Sequence, residues 1–131
     1  MDDYISGNKF SVKVSDATIT AAKAIELNNK TSGTIDLTPD TGAVAITGTS
    51  AELAQVFGAK VAAGSDGILT TSLADAAAET TDDVVSAADL HLIGDATTGT
   101  FNINTVTRIV GLTADVTGFY DSAQLSNHGN E

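Results

Sequence analysis

The sequence predicts an α/β fold in which two copies of one unit, each made of short strands and short helices, form a solenoid-like stack. The first observation behind this is a self-match. Offset by 66 residues, Ser15 to Leu37 lie over Thr81 to Ile103, and Asp16, Ala21, Ala22, Thr31, Gly33 and Thr34 meet Asp82, Ala87, Ala88, Thr97, Gly99 and Thr100. When three residues near Pro39 are passed over, the offset becomes 63. Ile46, Gly48 and Ala51 then meet Ile109, Gly111 and Ala114, while Glu52, Leu53, Val56 and Phe57 meet Asp115, Val116, Phe119 and Tyr120. Repetition of this length speaks of architecture, because a unit too small to bury its apolar side alone buries it against the next. The second observation is spacing: within each copy the apolar residues switch between the period of strands and that of helices. The third is composition, which leans on Ala, Thr, Asp, Gly and Val with no tryptophan and one proline. Small and β-branched side chains suit thin, regular layers.

Taken in order, residues 1–9 are a polar lead segment, 10–63 the first unit, 64–121 the second and 122–131 a polar tail. From Phe10 to Val14 apolar and polar residues alternate as in a half-buried strand. Thr18 or Thr20 caps a helix reaching about Lys30, with Ala21, Ala24, Ile25 and Leu27 inward and Lys23, Glu26 and Lys30 on the wet face. Thr31-Ser32-Gly33-Thr34 ends that helix, and Gly33 lies near the position where a helix end favours positive φ. Thr34 to Thr38 reads as a strand, Pro39 to Gly42 as a turn that joins either a hairpin or a longer bend, and Ala43 to Thr47 as a second strand. Thr49-Ser50-Ala51-Glu52 is a capping-box pattern opening a helix to about Phe57. Each unit thus reads helix, strand, strand, helix.

Gly58 to Asp75 joins the copies through a turn at Gly64-Ser65-Asp66-Gly67, and its second half, Ile68 to Thr71, takes the place of the Phe10 to Val14 strand. The second unit repeats the order: a helix from about Val84 to Gly94, strands near Thr100 to Asn104 and Thr107 to Val110, and a helix after Gly111 through Tyr120.

At 131 residues the chain is one domain by size, able to bury roughly two-thirds of its unfolded surface. Six basic against seventeen acidic residues give a formal charge of −11, which repels phosphate and anionic lipid. Lys9, Lys13, Lys23, Lys30, Lys60 and Arg108 are scattered rather than gathered in a stripe with aromatics, so nucleic acid is not an expected partner. No apolar run approaches a membrane span, and Met1 to Phe10 carries no signal-peptide pattern. Without cysteine, neither disulfides nor thiolate metal sites exist.

Asp-x-x-(Ile/Val)-(Thr/Ser)-Ala-Ala, then Thr-(Ser/Thr)-Gly-Thr, then Ile-(Thr/Val)-Gly-x-(Ser/Thr)-Ala-(Glu/Asp) occurs in both copies. This pattern, between Val14 and Tyr120, resembles the tandem repeats of very large surface proteins of marine cyanobacteria and other bacteria, and of structural proteins of their phages. The resemblance implies a structural or adhesive role on a virion or cell surface. It brings no catalytic residues.

Candidate chemistry is sparse. His91 and His128 stand outside any His-Glu-x-x-His spacing, and His91 takes the position of Ile25 beside an apolar face, which suits a hydrogen-bonded structural residue. There is no Gly-x-Ser-x-Gly elbow, no cysteine nucleophile and no lysine in Gly42 to Gly48 that would make a phosphate loop. Carboxylates are the remaining candidates. Asp36 with Asp40, Asp66 in its glycine-flanked turn, and Asp82 with Asp83 can each offer oxygens to calcium, or else cap helices and turns. Asn29-Lys30-Thr31 matches a glycosylation acceptor.

The expectation is therefore a non-enzymatic structural protein without a cofactor, exposed on a virion or cell surface, that self-associates or docks onto a larger assembly through its repeat faces. The alternative is an adhesive or calcium-dependent binding module excised from a long extracellular repeat protein.

Overall fold

The computed structural model describes residues 9–31, 33–39, 42–58 and 75–121. Twelve elements follow one another: β1 (Val12–Lys13), β2 (Thr18–Thr20), α1 (Ala21–Lys30), β3 (Ile35–Asp36), β4 (Ala45–Gly48), α2 (Ser50–Phe57), β5 (Ala77–Thr80), β6 (Val84–Ser86), α3 (Ala87–Ala96), β7 (Phe101–Asn102), β8 (Arg108–Val110) and α4 (Thr113–Asp121). The fold is mixed α/β, and among the described residues every strand pair is parallel.

The pairings fall at corresponding positions of the two halves. Val12 stands opposite Ile35 as Ala78 stands opposite Phe101, and Ile19 opposite Ile46 as Val85 opposite Ile109. One pairing joins the halves, β4 with β5, which makes a four-stranded sheet in the order β2-β4-β5-β7 flanked by two pairs, β1-β3 and β6-β8. Helices pack in sequence, α1 on α2, α2 on α3 and α3 on α4. Between helices and strands a single core holds Ile35, Leu37, Ile46, Leu53, Val56, Leu90, Ile93, Phe101 and Phe119, all fully buried.

Local chemistry explains the helix starts. Thr20 Oγ1 accepts from Lys23 N at 3.3 Å, and Thr49 and Glu52 form the reciprocal capping box that their spacing predicts. Two short strands escape the sequence reading. Thr18–Thr20 and Val84–Ser86 are extended, so the helices behind them begin at Ala21 and Ala87, and the second helix runs to Ala96 rather than Gly94. Their β-branched residues prefer the pleated conformation, and partners β4 and β8 supply the ladder. The unit is therefore strand, strand, helix, strand, strand, helix.

Of the two connections open at Pro39 to Gly42 the hairpin is excluded, since β3 pairs with β1 and β4 with β2 and β5. One further expectation changes. The counterpart of β1 is β5, at Ala77–Thr80, where Ile68 to Thr71 was expected; that segment, the turn around Asp66, residues 1–8 and the tail lie outside the described residues.

Gly33 is required for space, not for positive φ, which among the described residues is confined to Gly42 at 77°. A Cβ at Gly33 would stand 2.3 Å from the Phe10 carbonyl oxygen, and one at Gly99 would stand 2.3 Å from that of Ala76. Beside each glycine a threonine closes the same knot. Thr31 Oγ1 donates to Phe10 O at 2.8 Å and accepts from Gly33 N, while Thr97 Oγ1 donates to Ala76 O at 2.6 Å and accepts from Gly99 N.

Candidate functional site

The acidic candidates are built into the backbone scaffold and into the joint between halves. Asp36 Oδ1 accepts from Thr38 N at 2.9 Å, and bonding from Thr38 holds its carboxyl below the ordinary 3.8. This is a side-chain turn of the kind aspartate makes with the chain two residues on. Asp82 spans the halves: its Oδ2 accepts from Ser50 N at 2.7 Å and from Ser50 Oγ at 2.8 Å, at the first turn of α2. Asp83 participates through its carbonyl oxygen, which accepts from Thr107 N, Thr107 Oγ1 and Arg108 N. Asp40 and Asp66 lie outside the described residues, as does His128. Among the described residues no three His, Asp or Glu side chains gather in a way that could hold a metal ion.

His91 lies half exposed on α3, with Nε2 3.3 Å from Asp95 Oδ2 one helical turn on. Its ring lies against Gly118 of α4, where a Cβ would come within 2.7 Å of Cε1. The imidazole is thus a spacer between two helices. In the glycosylation triplet, Thr31 is buried and spends its hydroxyl on the chain.

What the structure brings together, and sequence reasoning did not name as a site, is a groove of ≈ 450 Å³ beside α1 and β2. Val14, Ile19 and Leu27 give it an apolar floor, all only partly buried. Asp16, Lys23, Glu26 and Lys30 also line it. Glu26 lies between the two lysines, 2.6 Å from Lys23 Nζ and 3.1 Å from Lys30 Nζ. Bonding from Lys23, then from Lys30, holds its carboxyl below the usual range.

The self-match shows what occupies the corresponding place in the second half. Val14, Ile19 and Leu27 correspond to Thr80, Val85 and Ile93, and all three of these are buried. Asp16 corresponds to Asp82, which holds Ser50. There β4 and α2 lie against β5 and α3, with Thr81 N donating to Gly48 O at 2.9 Å and Leu92 against Gly58. The groove is the corresponding surface of the first half. The signal for it lay in the match of Asp16 with Asp82, but a pair of matched letters does not say which copy has a neighbour.

At the other end of the helix row, Val110, Leu112 and Tyr120 are exposed apolar residues of β8, the cap region and α4. Tyr120 is 61% exposed, whereas Phe57, its counterpart, is 2% exposed.

Among the described residues no helix is long and apolar enough to cross a membrane. The chain matches no family model, and no curated protein or solved structure is similar to it.

Proposed function

We propose that this chain is a non-enzymatic structural protein of a virion or cell surface, a two-copy solenoid-like stack that assembles through the faces at its ends. One observation carries the proposal: positions that are buried at the joint between the halves are less covered at the two ends, as Val14, Ile19 and Leu27, the counterparts of buried Thr80, Val85 and Ile93, on one side and Tyr120, the counterpart of buried Phe57, on the other, where Val110 and Leu112 are also exposed. Open apolar faces of this kind are what stacked units present when no neighbour covers them. The acidic composition suits a surface that stays soluble while its ends pair. Self-association or docking on a larger assembly needs no cofactor.

The test is mass and shape in solution, by light scattering and negative-stain imaging, in chelator and then in calcium. Discrete rings, oligomers or fibres in both conditions are expected. Assembly that appears with calcium alone would replace this function with that of a calcium-dependent module, and a monomer throughout would remove it.

A further inference from the structure

We propose that the groove beside α1 and β2 receives the β8–α4 face of a second copy of this chain, docked head to tail in the register that β4–α2 and β5–α3 show within the molecule. This rests on the assembly reading above and names its partner and contacts.

The joint between the halves is the template. There α2 packs on α3, Ser50 at the first turn of α2 is held by Asp82, and Gly58 at its end lies against Leu92. Moved by one unit, α4 takes the part of α2 and α1 the part of α3. Thr113, the first residue of α4, then presents its amide and hydroxyl to Asp16 of the second copy, as Ser50 does to Asp82. A free helix start has amides without partners, and a carboxylate there satisfies them and complements the helix dipole.

Apolar surface is matched as well. Tyr120 replaces Phe57, and Val14, Ile19 and Leu27 form the floor that Thr80, Val85 and Ile93 form internally. Val14, Ile19, Leu27 and Tyr120 are each less buried than their counterparts Thr80, Val85, Ile93 and Phe57, which the internal joint covers.

Charge is balanced rather than complementary. Asp121 takes the place of Gly58 and lands on Glu26, a second carboxylate and the counterpart of Leu92, between Lys23 and Lys30. A second lysine at that spot balances the incoming carboxylate. At the internal joint those lysine positions carry Asp89 and Ala96. Because the two faces differ, the contact is heterologous and propagates into a ring or an open filament rather than stopping at a two-fold dimer. With −11 on each copy, association strengthens as salt screens the general repulsion.

The chain has no cysteine, so introduced thiols report contacts without background. Asp16→Cys and Thr113→Cys variants, mixed in roughly 0.5 M salt and oxidised, should give at least ten times more dimer than either alone, salt of that strength shortening screening to a few ångströms. A chain carrying both should give a ladder. Glu26→Cys with Asp121→Cys is a second matched pair, resting on the Leu92–Gly58 contact and leaving Asp16 intact. Asp16→Cys with Asn104→Cys is the mismatched control. Tyr120→Lys should suppress both matched signals at least ten-fold while leaving the urea midpoint of the dilute protein unchanged.

If the wild-type protein assembles by light scattering but neither matched pair exceeds the mismatched one, this interface is wrong and the structural function stands. If the protein stays monomeric at millimolar concentration and no matched pair cross-links, the interface and the assembly function both fall.

Discussion

The β4–α2 and β8–α4 segments match each other at an offset of 63 residues and lie in two different surroundings. Both run from a short strand through a glycine into a helix, and both bury the same apolar position, Val56 or Phe119, fully. They part company at the positions that face onward. Ile46, Leu53 and Phe57 are buried, while Ile109 and Val116 are partly buried and Tyr120 is largely exposed. The difference separates two kinds of contact: those a unit makes within itself, and those it makes only when another unit follows.

The sharpest way to break that comparison is to truncate Phe57 and Tyr120 separately. Phe57→Ala empties a buried site and should cost about 3–5 kcal/mol. Tyr120→Ala in dilute protein should stay within about 0.5 kcal/mol, as for exposed positions generally. Urea midpoints of the two variants measure this. Equal costs would mean that Tyr120 is already covered in solution.

The next largest effect concerns contacts that belong to one unit alone. Gly33→Ala and Gly99→Ala each force a Cβ to within 2.3 Å of a backbone oxygen that cannot swing away. Overpacking of this sort costs roughly 1–3 kcal/mol, and the two variants should match each other despite their different neighbours. A cost at Gly99 alone would show that the first half tolerates a shift that the second does not.

These pairs also mark how far the sequence could be read. The capping box at Thr49, the helix between Thr20 and Lys30, and the α2 and α4 ends were legible, because caps and helical spacing are local signals. Thr18–Thr20 and Val84–Ser86 were not, since a three-residue strand lies below the length at which alternation can be seen and Thr-x-Thr before Ala-Ala also looks like a helix cap. Gly33 was recognised as special and given the wrong reason: sequence shows a glycine after a helix, and only the fold brings the Phe10 carbonyl against it. Of the carboxylates, Asp36 and Asp82 turned out to hold backbone and hydroxyl groups, because their donors come from Thr38 and from Ser50 across the joint. The groove was invisible as a site, since no residue in it is unusual. Its Val14, Ile19 and Leu27 are only partly buried, whereas their counterparts Thr80, Val85 and Ile93 are fully covered, and that difference appears only in the fold.

A smaller effect tests the polar part of that neighbour. Asp82→Ala removes the acceptor from Ser50 N and Oγ at the start of α2 and should cost about 0.5–2 kcal/mol, the range for a lost helix cap. Asp16→Ala, at the corresponding open position, should leave the dilute protein's urea midpoint unchanged. A matching loss at Asp16 would show that the N-terminal half already holds a helix start of its own.

The smallest effect turns on one position that carries opposite charges in the two halves. Lys23 lies on the open groove beside Glu26, while its counterpart Asp89 lies partly buried on α3. Burial first, and the charge of Asp82 second, raise the Asp89 pKa above its ordinary 3.8. A raised carboxylate binds its proton more tightly in the folded chain, so its contribution favours the fold at acid pH and is lost as pH rises through the folded value. Asp89→Asn should therefore raise the urea midpoint slightly near neutral pH, and the advantage should vanish below 3.8, where aspartate is protonated folded and unfolded alike. Glu26 and Asp36 have the opposite sign: their lowered values give stability that is present at neutral pH and lost as pH falls through the folded values. Midpoints of wild type and Asp89→Asn measured from about pH 7 down to pH 3 should thus converge while both fall. If the difference instead persists unchanged at acid pH, the aspartate is unfavourable for its shape rather than its charge, and the position tells nothing about the electrostatics of a covered joint.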